Sequence, residues 1–183
     1  MNNNPHPSIE FSLEMMAEVE RIKGQFPEGK QKSALLRVLH LAQEEAGGWL
    51  NIPVMNQVAK MLGIQPIEVY EVATFYTMYN LEPVGKYVLE VCHTGPCAIE
   101  GAERIIGYLE QKLGIGVGHT TPDGMFSLKT VECMGACGYA PMMQVGEFYH
   151  EKLSEEKIDR FIEDCKAGKV NVGSWKIDKL AIN

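Results

Sequence analysis

Val91-Cys92-His93-Thr94-Gly95-Pro96-Cys97 and Glu132-Cys133-Met134-Gly135-Ala136-Cys137-Gly138 decide the reading of this chain. Together they hold four of its five cysteines, as one C-x4-C pair and one C-x3-C pair. An apolar, strand-like run precedes each: Tyr87 to Val91 and Phe126 to Val131. Thiol pairs at the ends of neighbouring strands can converge on one point. Disulfides, zinc or an iron–sulfur cluster would each account for such a convergence.

Free cysteine often packs as a small hydrophobe. Paired cysteines at short spacing, in a chain that opens without a secretory signal, point instead to metal or redox chemistry. The same lack of a signal disfavours disulfides. Structural zinc prefers tight knuckles, and C-x4-C sits at the permissive edge of that range. No C-x-x-C redox dithiol occurs. An iron–sulfur cluster needs four thiolates on loops roomy enough to wrap something larger than one ion. These loops suit it. Gly95, Gly135 and Gly138 let backbone approach a sulfur closely, and Pro96 and Pro141 stiffen the segments.

The two cysteine blocks, T-T-P-D-G-M-F-S-L at 120–128 and V-A-T-F-Y-T-M-Y at 72–79 occur in the order found in one family. From Phe11 to Gly168 the chain resembles the small iron–sulfur subunit of the NADH-oxidising module of respiratory complex I, with homologues in NAD-linked hydrogenases and formate dehydrogenases. The resemblance implies a thioredoxin-like domain with a [2Fe–2S] cluster on Cys92, Cys97, Cys133 and Cys137. It implies backbone support from Gly95, Ala98, Gly135, Ala136 and Gly138, and a cis Ala140–Pro141 bond. FMN and NADH would then sit on a flavoprotein partner subunit, with further iron–sulfur subunits beyond it. The chain would be cytoplasmic and peripheral to the inner membrane through its complex. A diaphorase-type subunit of a hydrogenase or formate dehydrogenase is the related alternative, and a zinc-stapled structural adaptor the unrelated one.

Composition is close to that of an ordinary soluble globular chain. The 183 residues are 45% hydrophobic and 22% charged, enough for one good core or two small ones. A net charge of −7 argues against nucleic acid, and no lysine or arginine run suggests anionic lipid. No apolar stretch is long enough for a membrane span, so direct insertion is not expected.

The period of the apolar residues changes along the chain. A flexible N-terminus is expected over 1–11 and a helical bundle over 12–80. Its helices are read from Ser12 to Phe26, from Lys30 to Ala46, from Pro53 in a first turn to Gly63, and onward from Pro66. Ser12 is the first N-cap. The fourth helix carries Ile67, Tyr70, Val72, Ala73 and Tyr76, and Phe75, Tyr76, Met78 and Tyr79 are read as core. Asn80 to Gly85 is the linker. Over 86–168 the order becomes strand, helix from Ile99 to Leu113, strand, cysteine loop, hairpin around Gly146-Glu147, and a helix capped by Ser154. The fold class is thus α+β: a helical bundle followed by an α/β domain with a mixed sheet.

Three other features carry little chemistry. Gly114, Gly116 and Gly118 follow a helix rather than a strand, which is the wrong context for a dinucleotide loop. They read as a flexible connector. Cys165 falls on the apolar stripe of the last helix and reads as a core thiol. His93 reads as an exposed loop residue. The extension over 169–183 scatters Val170, Val172, Trp175, Ile177 and Leu180, so it either folds back on its own domain or docks on a partner.

Overall fold

The computed structural model describes residues 10–173. The expectations for residues 1–9 and for Trp175, Ile177 and Leu180 fall outside that range. The chain divides into two compact units between Pro83 and Val84.

The first unit is helical because its sequence supplies both stripes and stops. Helix α1 (Leu13–Lys23) begins where the Ser12 hydroxyl accepts the Met15 N–H at 3.1 Å. It ends earlier than its apolar spacing suggests, and Phe26 packs against the core from the following turn. The second helix opens with a 3-10 turn (Gln31–Ala34) before α2 (Leu35–Glu45). For α3 (Ile52–Leu62), the Asn51 side chain accepts the Val54 N–H at 2.9 Å, and Gly63 closes the helix at φ 66°. Helix α4 (Pro66–Phe75) starts with the Glu68 carboxylate accepting the Gln65 N–H at 2.9 Å. Met15, Val19, Val38, Leu39, Val54 and Val58 make the centre of the core.

Helix α4 departs from expectation. It buries Val69 and Ala73, while Ile67 and Phe75 are 58% and 76% exposed. Tyr76 and Met78 are exposed too, so only Tyr79 of the aromatic and methionine set is core. The Tyr79 hydroxyl donates to the Leu36 carbonyl at 2.8 Å, which lets a polar tip enter an apolar site. The other three lie at or just past the end of α4, where the helical phase no longer fixes the side a residue faces.

The second unit is a thioredoxin-like fold. Its sheet has the order β2-β1-β3-β4, from β1 (Tyr87–Cys92), β2 (Phe126–Val131), β3 (Met143–Val145) and β4 (Phe148–His150). β1 and β2 are parallel; β3 and β4 run antiparallel to their neighbours. Tyr87, Leu89, Val91, Phe126, Leu128 and Met143 fill the core beneath the helices. The expected helix from Ile99 is two: α5 (Pro96–Ile99) and α6 (Ala102–Leu113), with Gly101 at φ 91° breaking the run. The last helix, α7 (Glu155–Lys166), starts at Ser154, whose hydroxyl accepts the Lys157 N–H at 3.3 Å. The Ala140–Pro141 bond is cis.

The glycine connector is pinned rather than loose. The Glu110 carboxylate accepts the Val117 N–H at 3.1 Å, and Gly118 donates to the Leu128 carbonyl at 2.7 Å. The described part of the C-terminal extension folds back on its own domain. Val170 and Val172 pack against this core, and the Val172 carbonyl accepts the Glu147 N–H at 2.9 Å. Among the described residues no helix is long and apolar enough to cross a membrane.

Candidate metal centre

Sheet topology brings the cysteines together. Because β1 and β2 are parallel, both strands deliver their following loops to the same end of the sheet. Cys92 is the last residue of β1, and Cys133 comes two residues after β2. His93 donates its N–H to the Val131 carbonyl at 3.2 Å, extending the ladder into the loops. Antiparallel β3 begins at that same end, so the turn before it closes the site from a third side.

Within the site the two pairs differ. Cys92 and Cys97 are buried, each 2% exposed, among Ala102 and Met142. Cys133 and Cys137 are exposed, with their sulfurs 3.4 Å apart. Burial pushes the Cys97 thiol up to about 11, and the neighbouring Cys92 thiol adds to the rise. The Met142 N–H opposes this by hydrogen-bonding the Cys97 sulfur. The Met142 carbonyl also accepts the Cys92 N–H at 3.2 Å, so one residue holds both members of the buried pair. In the exposed pair, the Gly135 N–H lies 3.4 Å from the Cys133 sulfur and holds that thiol below its usual range. The hydrogen bond with Cys133 raises the Cys137 thiol.

Of the backbone supports expected, Gly135 donates to a sulfur, and its φ of 83° is what presents that N–H. Met142 was not anticipated from the sequence. Its signal was the preceding Pro141, which sets the turn against the buried pair. His93 is exposed, with Nε2 3.6 Å from Oε1 of Glu132, across the two cysteine loops. Cys165 stands apart in the core; burial pushes its thiol up to about 12, and the Tyr87 hydroxyl donates to its carbonyl at 3.3 Å.

Among the described residues no three His, Cys, Asp or Glu side chains close on one point as a single ion needs. Four thiols in two pairs, with N–H groups aimed at sulfur, fit the donor set that a two-iron cluster requires.

A family model described as thioredoxin-like [2Fe–2S] ferredoxin matches residues 19–166. The chain belongs to the thioredoxin-like [2Fe–2S] ferredoxin family. Within the family it is similar to the mitochondrial NADH dehydrogenase [ubiquinone] flavoprotein 2 of Dictyostelium discoideum, 40% identical over 92% of this chain and 68% of that one. It is 45% identical to an NADH-quinone oxidoreductase subunit of Rickettsia felis, over 84% of this chain and 92% of the relative. Its fold is also that of part of an NAD+-reducing [NiFe]-hydrogenase in the air-oxidised state. There the TM-score is 0.65 at 20% identity, over 82% of this chain but only 25% of the hydrogenase chain.

Proposed function

We propose that this chain is the electron-transfer subunit of an NADH:quinone oxidoreductase, with Cys92, Cys97, Cys133 and Cys137 holding its [2Fe–2S] cluster. One observation carries the reading. Both thiol pairs meet at a single end of the sheet in a chain 45% identical to a protein named as a subunit of that enzyme. A cluster bound there would take up and give back one electron at a time.

The chain's own residues set the conditions for that chemistry. Met142 and Gly135 aim N–H groups at sulfur and so offset negative charge. Burial of Cys92 and Cys97 excludes water from one side, while exposed Cys133 and Cys137 keep the other within reach of a partner. The glycine-rich stretch at 114–118 does not cradle phosphate, because the Val117 and Gly118 N–H groups are taken by Glu110 and Leu128. On this reading FMN and NADH belong on a flavoprotein subunit, with further iron–sulfur subunits beyond it. The chain would be cytoplasmic and reach the inner membrane only through that complex.

Identities of 40–47% to subunits of NADH dehydrogenases, against 20% for the hydrogenase chain, favour this reading over a hydrogenase diaphorase. The paired geometry favours it over a zinc-stapled adaptor. The test is NADH-dependent ferricyanide reduction by the pure chain, alone and with its flavoprotein subunit. Flavin-free chain should be inactive, since hydride transfer needs a two-electron acceptor. Activity of the flavin-free chain alone would overturn the division of labour.

A further inference from the structure

The peptide group between Met134 and Gly135 lies inside the exposed cysteine turn. Its N–H, on Gly135, lies 3.4 Å from the Cys133 sulfur. Its carbonyl, on Met134, accepts the Tyr149 hydroxyl at 2.8 Å. One rigid plane therefore carries both bonds, because an amide does not turn freely about its C–N bond. Swinging the carbonyl away from Tyr149 swings the N–H away from sulfur. Gly135 gives little steric resistance to that rotation: it sits at φ 83°, and a residue without Cβ adopts either sign of φ. Hydrogen bonds must set the orientation, and the one at the carbonyl end comes from a different strand.

That strand is anchored on both sides of Tyr149. Tyr149 pairs with Gln144 in the β3–β4 ladder, and the hairpin before it is tied down where the Val172 carbonyl accepts the Glu147 N–H. Past β4 the backbone runs beside the segment that follows Cys137. Lys152 donates its N–H to the Tyr139 carbonyl and Leu153 to the Pro141 carbonyl, each at 2.8 Å. Lys152 holds φ at 48°, a left-handed conformation that persists in a lysine only where its neighbours enforce it. The Tyr149 ring itself is 46% exposed, so burial does not account for where its hydroxyl points.

We infer that Tyr149 is a positioning residue for the cluster site, its hydroxyl locking the Met134–Gly135 peptide with the N–H on the Cys133 sulfur. The inference rests on the function proposed above and deepens it by naming a residue that sets electron affinity. Sulfur gains negative charge on reduction, so an N–H aimed at it favours the reduced state and raises the reduction potential. A carbonyl that accepts from Tyr149 also polarises the N–H of its own amide, which strengthens the second bond.

The experiment uses the full cluster-loaded chain. Midpoint potential is measured by spectroelectrochemistry, and exchangeable-proton coupling by pulsed EPR in water and deuterated water. Tyr149→Phe keeps the ring and removes the hydroxyl. It should shift the reduction equilibrium about three- to ten-fold toward the oxidised form, about 30–60 mV for one electron, and weaken one exchangeable-proton coupling. A ring-fluorinated tyrosine at 149 is a stronger donor and should raise the potential; it reads the same bond where Tyr149→Phe fails to hold a cluster. Tyr139→Phe alters another exposed tyrosine, in the 3-10 turn that carries Cys137, and should change neither reading. Potential and coupling both unchanged in Tyr149→Phe, or no rise in the fluorinated chain, would overturn the inference alone. An equal fall in Tyr139→Phe would do the same. So would a lower urea midpoint in Tyr149→Phe with the proton coupling intact, the mark of a merely structural role. A wild-type chain that takes up no two-iron cluster would remove the proposed function and this inference together.

Discussion

Cys92 and Val131 face each other across the parallel ladder, each the last residue of its strand. That register sets how far each loop runs before it must supply a thiol. The first strand ends on a cysteine, whereas the second passes through Glu132 before reaching Cys133. The offset leaves the first pair inside the fold and the second at its surface.

The cluster should be lost residue by residue in a way that maps the site. The purified chain should carry about two irons and two sulfides, and no zinc. Serine at Cys92, Cys97, Cys133 or Cys137 should bleach or destabilise the visible absorption. Cys165→Ser should leave it unchanged. A spectrum insensitive to any one of the four would remove that residue from the ligand set.

Gly85 should tolerate no side chain. A Cβ there would stand 2.8 Å from the backbone of Phe126, and the Gly85 N–H already donates to the Ser127 hydroxyl at 2.7 Å. Gly85→Ala forces the entry to β1 away from the start of β2. We expect a loss of about 1–3 kcal/mol, read as a lower urea midpoint. A midpoint unchanged within error would show that the strand entry can shift freely.

Helix α3 should depend on its cap. Asn51→Ala removes the acceptor for the Val54 N–H and should cost about 0.5–2 kcal/mol, while Asn51→Asp should cost little. Thermal unfolding of the two variants distinguishes loss of the cap from general sensitivity at this position. Equal losses would point to the latter.

His40 should make stability fall in mild acid. Burial, aided by the nearby Arg37 charge, lowers its pKa from 6.5 to about 4. Between those values the unfolded chain binds a proton that the folded chain refuses. The contribution is intact above about 6.5 and is lost progressively as pH falls toward 4. His40→Phe should flatten the difference in urea stability between pH 7 and pH 5, keeping the ring contact with Tyr79. The same pH slope in both proteins would exclude His40 as its source.

Capping chemistry was readable in advance because it is local. Ser12, Gly63 and Ser154 stand at the expected helix ends, and β2 spans Phe126–Val131 as its pattern suggests. The cysteines were legible as a set because their spacing and preceding strands survive in one dimension. What failed depended on tertiary phase. Phe75, Tyr76 and Met78 have core composition, yet no spacing rule fixes their direction at the end of α4 and beyond it. The 114–118 connector looked loose because its anchors, Glu110 and Leu128, lie outside the glycine run. Met142 was legible as a support only through the Pro141 before it, because its own contribution is backbone, which side-chain identity does not report.

The parallel pairing of β1 with β2 also sets an order of assembly. A crossover containing α5 and α6 separates the strands, so the two thiol pairs become neighbours only when a long loop has closed. An unfolded chain offers iron two distant half-sites rather than one nest. A group bound across both pairs would therefore act as a clasp on the ladder, coupling its binding to closure of the sheet.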